Sequence, residues 1–182
     1  MLSKMRKHAP VLIHALSGLG KSTLAAAYPD HVLDADGFLY DAVALGFPQL
    51  DPRARLREWR ELCARRPWTY GGDDLARWSA VRRATVEPFV RAMTAGKHAL
   101  VVTSLLDPPW HVSAYYGIER GRYMEHLRLS GRAADNSQSE AMNDRLEGYS
   151  PVVRLPPGSF LGEQPEVLAA LGSAGGHDVR GS

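Results

Sequence analysis

The chain has 182 residues, 45% of them hydrophobic and 23% charged, with a formal net charge of +2. That length suits one globular domain with a full core, and so even a charge balance gives no mandate for binding nucleic acid or a membrane surface. Cys63 is the single cysteine, which excludes an intramolecular disulfide and a cysteine-held zinc ion; its helical setting predicts a small buried hydrophobe.

The apolar run after the basic start (Lys4, Arg6, Lys7) is too short for a signal peptide or a membrane span, so no membrane partner and a cytoplasmic location are expected. Val11 to Ala15 predicts a buried strand. Ala15-Leu16-Ser17-Gly18-Leu19-Gly20-Lys21-Ser22-Thr23 follows it, and a helix runs from Lys21 to Tyr28, stopped by Pro29. His31 to Asp34 reads as a second strand ending in Asp34-Ala35-Asp36-Gly37, after which the signals are mixed to Leu50. Leu56, Trp59 and Cys63, three and four apart, predict a helix between Asp51 and Arg66. Pro67 to Asp74 is a loop, and Leu75 to Ala95 a long helix that is bent at Pro88 and stopped by Gly96.

Ala99 to Ser104 is the clearest buried parallel strand, closed by the turn Asp107-Pro108-Pro109-Trp110. A helix is expected from about Ile118 to Leu129, then the polar loop Gly131 to Ser139 and a second helix to Gly148. Val152 to Leu155 is a last strand, Pro165 to Leu171 a closing helix, and 172–182 a loose tail. Strands alternating with helices argue for a single domain built on a doubly wound parallel α/β sheet, whose ligands lie beyond the carboxyl ends of its strands.

The strand–glycine turn–helix segment is the layout of a phosphate-binding P-loop. Small residues let backbone N–H groups curl around a phosphate, and the helix N-terminus adds partial positive charge. Ser17, Gly18, Leu19, Gly20, Lys21, Ser22 and Thr23 would hold the phosphates of ATP, with Lys21 on the β/γ charge and the Ser22 hydroxyl on Mg²⁺. The full pattern has glycine where this chain has Ala15, and alanine fits there if its φ is negative.

If the second strand persists through Asp34 and Asp36, both carboxylates share one face at the mouth of the site. Asp36 is the candidate to accept a proton from an attacking hydroxyl and to hold Mg²⁺, whereas Asp34 serves equally as a cap or turn former. Ser104 can donate to a phosphate or to Asp36. Asp107 is a weaker candidate for the metal shell, since the residue before a proline is as well explained as a turn former.

Arginines gather from Arg120 and Arg122 through Arg128 and Arg132 to Arg145. Two helices around a polar loop, over about 117–150, read as a lid that closes Arg128 and Arg132 over a transferring phosphoryl group. The plainer alternative is a solvated helical hairpin. Arg53, Arg55, Arg57, Arg60, Arg65 and Arg66, near Trp59, Trp68 and Tyr70, can bind nucleic acid or a phosphorylated small substrate, or form the outer face of an amphipathic helix.

On its P-loop, its Leu33-Asp34-Ala35-Asp36-Gly37 turn and its arginine-rich hairpin, the chain resembles the small P-loop kinases of the nucleoside monophosphate kinase superfamily, the divergent nucleotide kinases of bacteriophages in particular. Val32-Leu33-Asp34-Ala35-Asp36 also resembles the aspartate motif of polynucleotide kinases, zeta-type toxins and small-molecule phosphotransferases. That resemblance implies an acceptor-activating role for Asp36. The resemblance to the nucleoside monophosphate kinases implies an ATP- and Mg²⁺-dependent phosphotransferase acting on a nucleoside monophosphate or a modified deoxynucleotide. The alternatives are a kinase acting on a hydroxyl of DNA, RNA or a small molecule, and a nucleotide-binding module without turnover. The departures from the pattern are Ala15 and the lack of an acid at the end of the Ala99–Ser104 strand.

Overall fold

The computed structural model describes residues 10–65, 70–105, 108, 110–132 and 140–175. Five strands form one sheet: β1 (Val11–Ala15), β2 (Val32–Asp34), β3 (Leu100–Thr103), β4 (Ala114–Ile118) and β5 (Val152–Leu155). Their order is β2-β3-β1-β4-β5, and all four pairings are parallel. The α-helices among the described residues are α1 (Lys21–Ala27), α2 (Asp36–Gly46), α3 (Pro52–Ala64), α4 (Gly72–Ala95), α5 (Tyr123–Leu129), α6 (Glu140–Asp144) and α7 (Pro165–Gly175). None of them is long and apolar enough to cross a membrane.

The chain divides into two compact units. One is built from the segments up to Asp34 and from Ala92 onward; the other is Ala35–Arg91. The first contains the whole sheet. All four residues of β3 are buried and so are four of the five in β1, as expected for parallel strands covered on both faces. The connection leaving β1 runs toward the β2 edge, and the one leaving β3 runs the other way, past β1 to β4. The reversal between β1 and β3 is the position where open parallel sheets bind ligands, beyond the strands' carboxyl ends.

The second unit is helical. Asp51 caps α3, its carboxylate accepting from the N–H groups of Arg53 and Ala54 at 2.9 and 3.1 Å, with Pro52 in the first helical position. Ala42, Val43, Phe47, Trp59, Leu62 and Val81 make the core of this unit. Trp59 and Leu62 define the inward face of α3, which turns Cys63 to the exposed side rather than into the core the spacing suggested. Helix α4 continues through Pro88 and begins at Gly72, earlier than expected.

Two elements differ from the sequence reading. The mixed stretch after Asp36 is the helix α2, and Ala114–Ile118, where the sequence reading has no strand and begins a helix at about Ile118, is the strand β4. Tyr115, Tyr116 and Ile118 suit a pleated buried surface, but five residues are too few to show a period. Gly117 admits a close approach within this unit: a Cβ there would lie 2.5 Å from Leu146 Cδ1 and 2.8 Å from Asn143 Oδ1. The closing helix α7 extends to Gly175.

Candidate functional site

The turn after β1 takes its shape from two glycines. Gly18 and Gly20 have φ of +87° and +83°, the left-handed region that side chains disfavour, and Gly20 caps α1 in that conformation. Ala15, the departure from the glycine pattern, ends β1 fully buried, and no non-glycine residue described has a positive φ. Alanine therefore fits without strain.

Three successive carbonyls of the turn are held by other elements of the same unit. The Tyr123 hydroxyl donates to Ser17 O at 3.1 Å, the His126 ring donates to Gly18 O at 3.1 Å, and the Leu161 N–H donates to Leu19 O at 3.0 Å. In a trans peptide the C=O and the following N–H point in opposite directions. Each held carbonyl therefore turns the following N–H, of Gly18, Leu19 or Gly20, away from the group that holds it. Leu19 N–H has a long contact, 3.4 Å, with Leu16 O.

Lys21 begins α1 and is 7% exposed, its ammonium donating to Ala15 O at 3.0 Å and Leu16 O at 3.2 Å. Its neighbour Ser22 is exposed, and the Ser22 hydroxyl donates to Asp34 Oδ2 at 2.9 Å. An acid thus reaches the turn from the end of β2, one strand beyond β3. Strand β3 ends in Thr103, whose Oγ1 accepts from Leu105 N–H, and Ser104 offers its carbonyl to the buried His14 ring at 3.1 Å.

Asp34 and Asp36 do not continue one strand. Strand β2 stops at Asp34, and Asp36 is the first residue of α2, in the helical unit. The shared-face expectation is therefore corrected: it is Asp34 that meets Ser22. Asp107 lies outside the described residues.

Helix α5 has Tyr123, His126 and Leu127 buried, three and four apart, and this face carries the two side chains that hold the turn. The Glu140 carboxylate accepts from the N–H groups of Tyr123 and Met124 at its start. At its end Arg132 N–H bonds Leu127 O and Gly131 N–H bonds Arg128 O, with Gly131 at φ +72°, the Schellman pattern. The segment expected to form a lid is thus, in its first helix, tied to the glycine turn. Arg128 and Arg132 are exposed. Arg122 is bonded to Glu119 at 2.8 Å and to Glu125 at 3.0 Å, and its hydrogen bonds hold the Glu125 carboxyl below its ordinary value. The centre of the expected lid loop, 133–139, lies outside the described residues.

In the helical unit, the Arg55 guanidinium donates to Phe47 O and Pro48 O, both at 3.0 Å. Arg57 pairs with Glu58 and Glu61, and Arg65 with Asp74 at 2.8 Å. Among the described residues no group of three or more His, Cys, Asp or Glu is placed to hold a metal ion. Residues that sequence reasoning missed are Tyr123, His126, Gly158 and Leu161, which are distant in sequence from the turn they support. Comparison with known protein families, with characterised proteins and with solved structures finds no match for this chain.

Proposed function

We propose that the chain is a P-loop phosphotransferase that moves the terminal phosphoryl group of ATP to a small acceptor, a nucleoside monophosphate or a modified deoxynucleotide. The observation that carries this reading is the buried Lys21 ammonium on the carbonyls of the glycine turn. Burying a lysine is costly unless a particular role repays it, and a cation at the mouth of a ring of N–H groups is suited to an anion of high charge density. In this reading the N–H groups of 18–20 take phosphate oxygens, and Lys21 leaves the Ala15 and Leu16 carbonyls to meet the β/γ charge.

The Ser22 hydroxyl and the Asp34 carboxylate are hard oxygen donors of the class Mg²⁺ takes, and that ion needs few protein ligands when phosphates and water complete its shell. Bound there it would neutralise charge on the phosphates. Asp34 replaces Asp36 as the acid assigned to that shell. The acceptor role of Asp36 and the transferring-group role of Arg128 and Arg132 rest on the sequence pattern alone. Arg55 and Arg65 are engaged with groups of their own unit, which favours a small acceptor over a nucleic acid.

The test is ADP release from ATP and Mg²⁺ with pooled deoxynucleoside monophosphates, for wild type and Lys21→Ala. Release stimulated by the pool and lowered about 10²–10³-fold in the variant is expected, as when one transition-state donor is removed. ATP binding with no product from nucleotides, oligonucleotides or small alcohols would leave a binding module and end the enzyme reading.

A further inference from the structure

His126 is fully buried, and both of its ring nitrogens have partners whose chemistry is fixed. Gly158 N–H can only donate, and it donates to Nδ1 at 3.1 Å. Gly18 O can only accept, and it lies 3.1 Å from Nε2. The ring is therefore the neutral tautomer with its hydrogen on Nε2. An imidazolium has no acceptor and would lose the Gly158 bond. A Cβ on Gly18 would stand 3.0 Å from Leu127 Cδ2 and 3.4 Å from His126 Nε2, so the turn rests directly against α5. Phe160 packs on the His126 ring with centroids 5.7 Å apart, and a Cβ on Gly20 would lie 3.5 Å from Phe160 Cδ1.

We propose that His126 is a positioning residue for a nucleoside polyphosphate in the glycine turn: it fixes the Gly18–Leu19 peptide from behind and joins that turn to the Gly158–Leu161 turn. The inference rests on the phosphate-binding role of the glycine turn and adds the device that keeps it shaped before ligand arrives. Tyr123 fixes the preceding peptide and Leu161 the following one, so His126 is the middle of three anchors. N–H groups already held in place bind an anion without first losing conformational freedom, which is the advantage such anchors provide; the Leu19 N–H gives up only its long 3.4 Å contact with Leu16 O. Helix α5 thus supports the site from behind.

The probe is ADP with Mg²⁺, titrated calorimetrically into wild type, His126→Phe, His126→Gln and Asn143→Ala. Phenylalanine keeps a ring but loses both hydrogen bonds. Glutamine keeps one donor and one acceptor. Asn143 is an equally buried polar residue whose hydrogen bonds go to Ile118 and Arg154 rather than to the turn, so it controls for stability.

His126→Phe is expected to bind ADP about tenfold more weakly, the scale of one to two lost hydrogen bonds. His126→Gln should restore most of that affinity, and Asn143→Ala should lower the unfolding temperature while leaving ADP binding unchanged. Wild-type affinity in a folded His126→Phe overturns the proposal, as does an equal loss of affinity in Asn143→Ala. If His126→Phe does not fold, Tyr123→Phe removes the hydroxyl that bonds Ser17 O while keeping the ring; a weaker, measurable loss of ADP affinity supports the anchoring, and no loss overturns it. Nitrogen-15 shifts of the ring in nucleotide-free protein must show hydrogen on Nε2, and hydrogen on Nδ1 overturns the geometry without reference to any ligand. Failure of wild type to bind ADP or ATP ends the nucleotide reading itself, and the positioning role with it.

Discussion

The two compact units bury different things. In the sheet unit, His14, Lys21, Thr103, His126 and Asn143 are buried polar residues; among the described residues of the helical unit, Thr85 alone is. Thr85 bonds the carbonyl of Val81, one turn back on its own helix, a bond any helix offers. Three of the sheet unit's five join distant segments: 25 residues separate Asn143 from Ile118, 90 separate His14 from Ser104, and 108 separate His126 from Gly18, while Lys21 and Thr103 bond within their own turns. A local bond satisfies a polar group wherever its helix goes, whereas a distant one specifies a single arrangement. Long-range polar specification is thus concentrated in the sheet unit, whereas the core of the helical unit is apolar.

The sharpest way to break that contrast is to remove apolar bulk from the helical unit. Trp59 is 8% exposed within a six-residue core. Trp59→Ala is expected to destabilise by about 3–5 kcal/mol, the transfer of the ring plus the cavity it leaves. Urea denaturation followed by tryptophan fluorescence and circular dichroism measures it, and a loss under about 1 kcal/mol would show that these six residues are not what holds the unit.

A second substitution sharpens the other side. Asp34→Asn keeps the size of the side chain and an acceptor for Ser22 but removes the charge. It is expected to weaken Mg²⁺ in the proposed reaction by about 10–100-fold, with unfolding temperature little changed. Asp36→Asn is the companion variant. If it, and not Asp34→Asn, shifts the Mg²⁺ dependence, the metal belongs to Asp36 as the pattern of residues first suggested, and the Ser22–Asp34 bond is structural.

That pair also marks where the sequence stops being readable. The strand, turn and helix from Val11 to Ala27 are contiguous, so hydrophobic run, glycines and helix formers stand side by side, and the positive φ values fall on the two glycines. Whether Asp34 or Asp36 faces the turn depends on where β2 ends, and one residue more of strand changes the answer. The anchors Tyr123 and His126 were harder still. They sit on a seven-residue helix with no motif of its own, 106 and 108 residues from the carbonyls they hold. Periodicity reports which face of α5 is apolar, and it carries no information on what that face packs against. The arginines around them were conspicuous in the sequence because charge is visible in composition; two buried side chains aimed at backbone carbonyls are not.

The smallest effects come from comparing two arginines, one from each unit. Arg154 in β5 places Nη1 3.1 Å from Ile118 O, 3.2 Å from Asn143 O and 2.6 Å from Asn143 Oδ1, against a fully buried amide. Arg57 on α3 reaches Glu58 at 3.8 Å and Glu61 at 4.0 Å with 67% of its side chain exposed. Arg154→Met is expected to cost about 1–3 kcal/mol, the range for charge-assisted bonds whose acceptors become partly unsatisfied. Arg57→Ala should stay within about 0.5 kcal/mol, because water and salt already screen an exposed pair. Thermal unfolding of the two variants side by side reads the difference. If Arg57→Ala proves as damaging as Arg154→Met, the helical unit depends on its surface charges, and polar specification is spread over both units. A cost confined to Arg154 places the polar bonds that matter at the carboxyl edge of the sheet, the edge from which the glycine turn projects.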